Sequence, residues 1–253
     1  FRGILSSTPT IRLSDVVAVG EATIVYDKEG NEIDQYVSTN SNRLSVGMDE
    51  IPDYMGKAFV AIEDERFYQH NGIDVKGILR AGYQFIKTGG EEAQGASTIT
   101  QQLLKNTVFT DWTSEGSNKI KKIKRKIQEQ YLALEITKYY SKDEILLRYM
   151  NAINLGQNTL GVESASLRYF GKHCSDLTLS ECAVIASITQ NPSKYNPIRH
   201  PEDNAVRREK CLNKMLELGF VSQSEYDEAM ADTDAVYERI GLYDIDYQEA
   251  NAN

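Results

Sequence analysis

The stretch IPDYMGKAFVAIEDERFYQH, residues 51–70, decides how the rest of the chain is read. Ile51, Tyr54, Met55, Ala58, Phe59 and Ile62 recur at steps of three and four, the spacing of one apolar helix face. At the end of that face come three consecutive acids, Glu63, Asp64 and Glu65, followed by Arg66, Phe67 and Tyr68. Like charges packed together cost energy, so a chain selected for stability alone spaces them out. Glu63 falls four residues after Phe59 and projects beside the buried face, a position suited to a carboxylate held for proton chemistry.

Working outward, the next helix starts announce themselves through capping boxes. Ser141-x-x-Glu144 opens an apolar run through Ile145, Leu146, Tyr149, Met150 and Ile153, and Thr178-x-x-Glu181 and Ser222-x-x-Glu225 repeat the device. Before residue 50 the pattern is different. EATIVYDKEGNEIDQYV places apolar runs on either side of a polar turn at 27–31, the signature of a hairpin. The expectation is a mainly α chain with a small β segment at its N-terminus. No internal repeat and no low-complexity segment interrupts it.

Bulk properties narrow the class. With 253 residues, 41% apolar and 26% charged, the chain has material for a sizeable core and for one large or two small domains. A net charge of −9 makes nucleic acid an unsuitable partner. Three cysteines without a CxxC pair rule out a disulfide framework or structural zinc site. No apolar run reaches the ~18–20 residues of a membrane span, and no leader peptide is visible. Because the chain opens on Phe1, it is expected to be a piece cut from a longer protein, with an anchor once preceding it.

Nucleophile chemistry has little to work with. There are three histidines, no SxxK, no GxSxG, no Walker motif, no GxGxxG and no HExxH. Carboxylates, cations and hydroxyls remain. Six of the eight residues from Lys119 to Lys126 are basic, and Ile120, Ile123, Ile127 and Leu134 in the same segment predict an amphipathic helix. Lys122, Lys126 and Glu129 share one face of it. Between the two carboxylates Glu63 and Glu129 lies GASTITQQLLKN, residues 95–106, where Ser97, Thr98, Thr100, Gln101 and Gln102 offer hydrogen bonds and Lys105 follows on the Gln101 face. Acid–base groups, a hydroxyl- and amide-rich loop and a local cation cluster suit a sugar–phosphate substrate.

Five ordered blocks carry a resemblance. They are Glu63-Asp64-x-x-Phe67-x-x-His70-x-Gly72; the run from Gly95 to Asn106; Arg125-Lys126-x-x-Glu129; Gly161-Val162-x-x-Ala165 with Tyr169 to Lys172; and Leu177 to Ala186 with Pro192-x-x-Tyr195-Asn196-Pro197. Together with YSKDEILLRYMNAINLG they resemble the peptidoglycan glycosyltransferases (family 51) of class A penicillin-binding proteins and monofunctional transglycosylases, over roughly residues 44–230. Ser187, where a glycine is expected, and Asn154-Leu155, where aromatics are frequent, depart from the pattern.

The resemblance implies a lysozyme-like, two-lobed helical fold and inverting transfer of a growing glycan from polyprenyl-pyrophosphate to the 4-hydroxyl of lipid II. Glu63 is then the general base, and Glu129 steadies the departing pyrophosphate directly or through a cation. Asp64, Phe67, His70, Ser97, Thr98, Gln101, Gln102, Lys105, Asn106, Arg125 and Lys126 form the substrate-binding set. No cofactor is obligatory, although a divalent Mg or Mn ion at Glu129 is compatible with the family. Implied partners are lipid II, the nascent glycan, a membrane surface at the extracytoplasmic face of a bacterial cell and a transpeptidase domain C-terminal to this chain. The expected organisation is an N-terminal linker and β segment at 1–45, the glycosyltransferase domain at 46–235 and a linker or tail at 236–253. A lysozyme-type hydrolase and an inactive lipid II-binding module are the rival readings. The first leaves Lys105, Arg125 and Lys126 unexplained, since a neutral polysaccharide carries no pyrophosphate.

Overall fold

The computed structural model describes residues 4, 6–11, 16, 23–26, 32–36, 42–88, 95, 97–110 and 118–251. The chain is mainly α, as its periodicity requires. Two short strands, β1 (Thr23–Tyr26) and β2 (Glu32–Tyr36), pair antiparallel with Thr23 opposite Tyr36, the hairpin anticipated there. Its turn at 27–31 lies outside the described residues. A second pair joins β3 (Asn42–Arg43) in parallel to β4 (Thr159–Leu160).

The helices are α1 (Asp53–Glu63), α2 (Val75–Lys87), α3 (Ile99–Thr107), α4 (Lys119–Ile136) and α5 (Lys142–Ala152), then α6 (Val162–Phe170), α7 (Leu179–Ile188), α8 (Pro201–Glu217), α9 (Gln223–Ala231) and α10 (Thr233–Ala250). All three predicted capping boxes form. Glu144 accepts from the Ser141 backbone while Ser141 accepts from Glu144, and Thr178 with Glu181 and Ser222 with Glu225 do likewise.

Two compact units divide the chain. The first holds residues 1–17 and 63–149, and the second holds 18–62 and 150–253. The second is organised around α7, every residue of which is buried. Its Leu179, Ala183, Val184, Ile185, Ala186 and Ile188 fall on every side of the helix, so it needs cover on every side. Arg208 of α8 is fully buried in this unit, and its guanidinium donates to the Ser180 hydroxyl, the Ala229 carbonyl and the Thr233 hydroxyl, which offsets the cost of burying the charge. Cys174, Cys182 and Cys211 are free thiols and all buried here. Val236 and Ile240 of α10 pack on Val184 of α7, so the packed body runs past the boundary expected at 235.

The first unit contains α2, α3, α4 and α5 as far as Tyr149. Near its beginning, the Gln128 amide donates to the Ser7 carbonyl at 3.0 Å, which ties residues from the expected linker to α4. Helix α4 corrects one expectation. Ile120 and Ile123 are 79% and 60% exposed; the buried face consists of Gln128, Glu129, Leu132, Ala133 and Ile136. The half that carries the lysines stays out in solvent, since burying its isoleucines would drag neighbouring ammonium groups out of water.

Candidate active site

The site lies within the first unit and is assembled around the start of α3. Thr98 is the N-cap of that helix, and its hydroxyl accepts from the Gln101 N–H while donating to the Gly72 carbonyl at 2.7 Å. Gly72 has φ +87°, and a Cβ there would stand 2.3 Å from the Ala133 carbonyl oxygen of α4. Only glycine admits both that backbone conformation and that approach. The glycine ending the first sequence block is thus what lets the 63–72 turn close on α4 and receive Thr98.

Asp64 secures the same helix end. Its carboxylate accepts from the Ile99 N–H at 3.0 Å, an anion on the first turn of a helix. His70 Nε2 lies 2.9 and 3.0 Å from the two Asp64 oxygens, and since an ionised carboxylate only accepts, that nitrogen carries the proton. Glu65 pairs with Arg66 at 2.8 Å and with Arg80 at 2.7 Å. Arg66 reaches on to Asp74, the N-cap of α2. Burial pushes the Asp74 carboxyl up, but Arg66 and the Gly77 N–H outweigh it and hold it below the ordinary aspartate range. The three consecutive acids therefore have three settings: Glu65 in an ion-pair network, Asp64 on the first turn of α3, and Glu63 at the end of α1.

Glu63 is the last residue of α1 and is half-buried. Gln102 Nε2 donates to it at 3.0 Å, and the hydroxyl of fully buried Tyr149 meets Gln102 Oε1 at 3.2 Å. Glu63, Glu65, Arg80 and Ser97 border a cleft of about 350 Å³. At the other end of the segment, Lys126 Nζ donates to Ser97 Oγ at 2.7 Å and to Glu129 Oε2 at 2.8 Å. Arg125 donates to the other Glu129 oxygen. Glu129 is fully buried, whereas Lys126 stays partly exposed with its charge available to a ligand. A single stretch, 97–102, thus connects Glu63, through Gln102, to the Glu129 cluster, through Ser97 and Lys126.

The substrate-binding set divides on burial. Ser97, Gln102, Lys105, Asn106, Arg125, Lys126 and His70 are half-buried. Phe67, Thr98, Gln101 and Asp64 are 0, 1, 1 and 6% exposed. Phe67 fills the core, Thr98 and Asp64 have their polar atoms engaged internally, and Gln101 has neither amide atom hydrogen-bonded among the described residues. Both Glu129 oxygens already accept from cations, so a divalent ion there would compete with Arg125 and Lys126. Among the described residues no group of three His, Cys, Asp or Glu side chains is placed to hold one elsewhere.

Sequence reading missed several residues. Lys142 Nζ is buried without a hydrogen-bond partner, 4.4 Å from the centre of the Phe67 ring. Burial lowers its pKa, and the nearby Asp64 charge opposes that shift. On α2, Val75, Leu79, Tyr83 and Ile86 are 62 to 80% exposed, an apolar stripe at helical spacing that faces solvent. Tyr149 was visible only as one more apolar helix position.

The transglycosylase family model matches residues 29–216. Penicillin-binding protein 1A of Clostridium perfringens is 41% identical over 239 residues, covering 91% of this chain and 34% of that protein. Penicillin-binding protein 1F of Bacillus subtilis is 41% identical over 201 residues, covering 79% of this chain and 27% of that protein. A crystal structure of penicillin-binding protein 1A from Haemophilus influenzae aligns with 85% of this chain and 21% of that one, at 23% identity and a TM-score of 0.46. The chain spans about a third or less of the length of these curated relatives.

Proposed function

The chain belongs to the transglycosylase family, and from that membership we propose that it polymerises lipid II into glycan strands, with Glu63 as the general base. One observation carries the reading. A half-buried carboxylate in a cleft and a cation pair anchored on a buried carboxylate are joined through residues 97–102.

The chemistry follows from that layout. Glu63 takes the proton of the acceptor 4-hydroxyl as its oxygen attacks the anomeric carbon of the donor, and the bond to pyrophosphate breaks on the opposite side. Arg125 and Lys126 meet the charge that develops on the pyrophosphate, and Glu129 holds both cations in place. Such a leaving group departs without being protonated, so no second acid is required. The hydrolase reading asks for a protonated acid on the leaving side, where this site offers an ion cluster.

The α2 stripe and the exposed Ile120 and Ile123 among the α4 lysines support a membrane surface as partner, because such faces bury apolar side chains at the headgroup boundary while lysines meet anionic lipid. No helix among the described residues is long and apolar enough to cross a membrane. A C-terminal transpeptidase domain and an extracytoplasmic location belong to the same proposal, supported by relatives named penicillin-binding proteins. The reading is tested by incubating the chain with labelled lipid II in detergent and separating products on a gel. Long glycan from the wild type and none from Glu63→Gln is expected; no polymer from either, or shortened glycan from purified sacculi, would overturn it.

A further inference from the structure

Building on the proposed role of Glu63, we propose that Tyr149 is a positioning residue for this base, acting through the Gln102 amide. Its hydroxyl is the far end of a chain of two hydrogen bonds, Tyr149 to Gln102 Oε1 at 3.2 Å and Gln102 Nε2 to Glu63 at 3.0 Å. The direction of the amide follows from chemistry. An ionised Glu63 accepts only, so it takes the Nε2 end, and the Oε1 end then requires a donor. Tyr149, at 0% exposure, supplies one that solvent cannot displace.

The hydroxyl has a second property that the reaction uses. When the substrate O–H breaks and the proton settles on Glu63, that carboxyl becomes a donor. The amide then turns over, Oε1 accepting from protonated Glu63 and Nε2 donating to the Tyr149 oxygen. A hydroxyl both donates and accepts, so the Tyr149 oxygen can meet either end of the amide before and after proton transfer. A buried lysine or carbonyl in place of Tyr149 would serve one state only. Tyr149 touches neither the substrate nor the proton, and its contribution is orientation.

Steady-state polymerisation of lipid II by the 253-residue chain tests this, with Tyr149→Phe, Gln102→Leu and the double variant beside wild type. Tyr149→Phe keeps the ring and removes one oxygen. Its kcat is expected to fall about tenfold with KM and melting temperature held, since small misplacements of a reacting group slow chemistry without weakening binding. Gln102→Leu is expected to lose more. The double variant should be no slower than Gln102→Leu alone, because the proposed relay runs through the amide. A Tyr149→Phe enzyme at wild-type kcat, or losses that multiply in the double variant, overturns the proposal while leaving the polymerase reading intact. Should Tyr149→Phe fail to fold, Gln102→Leu decides: reduced kcat at unchanged KM supports the relay and wild-type kcat overturns it. A wild type that makes no polymer sinks the polymerase reading itself, and the proposed role of Tyr149 with it.

Discussion

Glu63 stands half-buried at the last residue of its helix with a neutral amide on one oxygen, whereas Glu129 is fully buried in mid-helix with a guanidinium and an ammonium on its two. The side chains are the same; their neighbours assign them different work. A neutral donor orients a carboxylate and still lets it take a proton. Two charge-assisted bonds tie Glu129 to Arg125 and Lys126 and fix the positions of both cations. Burial and position along the helix thus set the two carboxylates apart, one at a helix end beside a cleft and one enclosed in mid-helix.

Replacing each carboxylate in turn gives the sharpest test of that division. Glu63→Gln is expected to lower the polymerisation rate roughly 10²–10⁴-fold, the range for removing a general base, with the melting temperature unchanged. A large loss of stability would mean that Glu63 is also an anchor. Glu129→Gln is expected to do both kinds of damage. Leaving Arg125 and Lys126 beside a neutral group should destabilise the chain by roughly 3 kcal/mol in a denaturant titration, and activity should fall with it. Full stability in Glu129→Gln would place that residue on the same footing as Glu63.

Smaller changes probe what joins the two. Thr98→Ala removes the cap at the start of the connecting segment, and a loss of about 1 kcal/mol is expected in thermal unfolding. A third carboxylate, in the other unit, serves as reference. Glu225 accepts from the Tyr54 hydroxyl and from the Ser222 N–H, and these hold its carboxyl down to about 2. The sign follows from the lowered value: the stability these bonds contribute is present above the ordinary glutamate pKa near 4.5 and is lost as pH falls toward 2. Tyr54→Phe should flatten that part of the stability–pH curve and leave the curve near neutrality with the same slope. A curve with the slope of the wild type would show that the bond to Tyr54 does not set the Glu225 titration.

Much of this was legible in the residues. Helix α1 follows from its apolar periodicity, and three helix starts follow from Ser or Thr with a Glu three positions on, because caps are local devices. The candidate base and the cation pair follow from ordered blocks. What escaped reading depends on partners distant in sequence. Ile120 and Ile123 fit an apolar stripe, yet whether a stripe is covered depends on other elements. Phe67, Thr98 and Gln101 sit in blocks that also hold more exposed side chains, and only tertiary packing separates the two kinds. Tyr149 looked like core because it is core; only the position of Gln102, 47 residues earlier, gives its hydroxyl a use.

The three free cysteines bear on experiments as well as on packing. Burial pushes the Cys174 and Cys182 thiols well above their ordinary range, and Cys211 is equally enclosed. Alkylating reagents attack thiolates, so the folded chain presents them with almost nothing to modify. A cysteine introduced at an exposed position such as Ile123 or Leu79 would react alone, and the native thiols could stay in place. A fluorophore there would change colour if its surroundings turned from water to lipid on adding vesicles, which tests the membrane face proposed above.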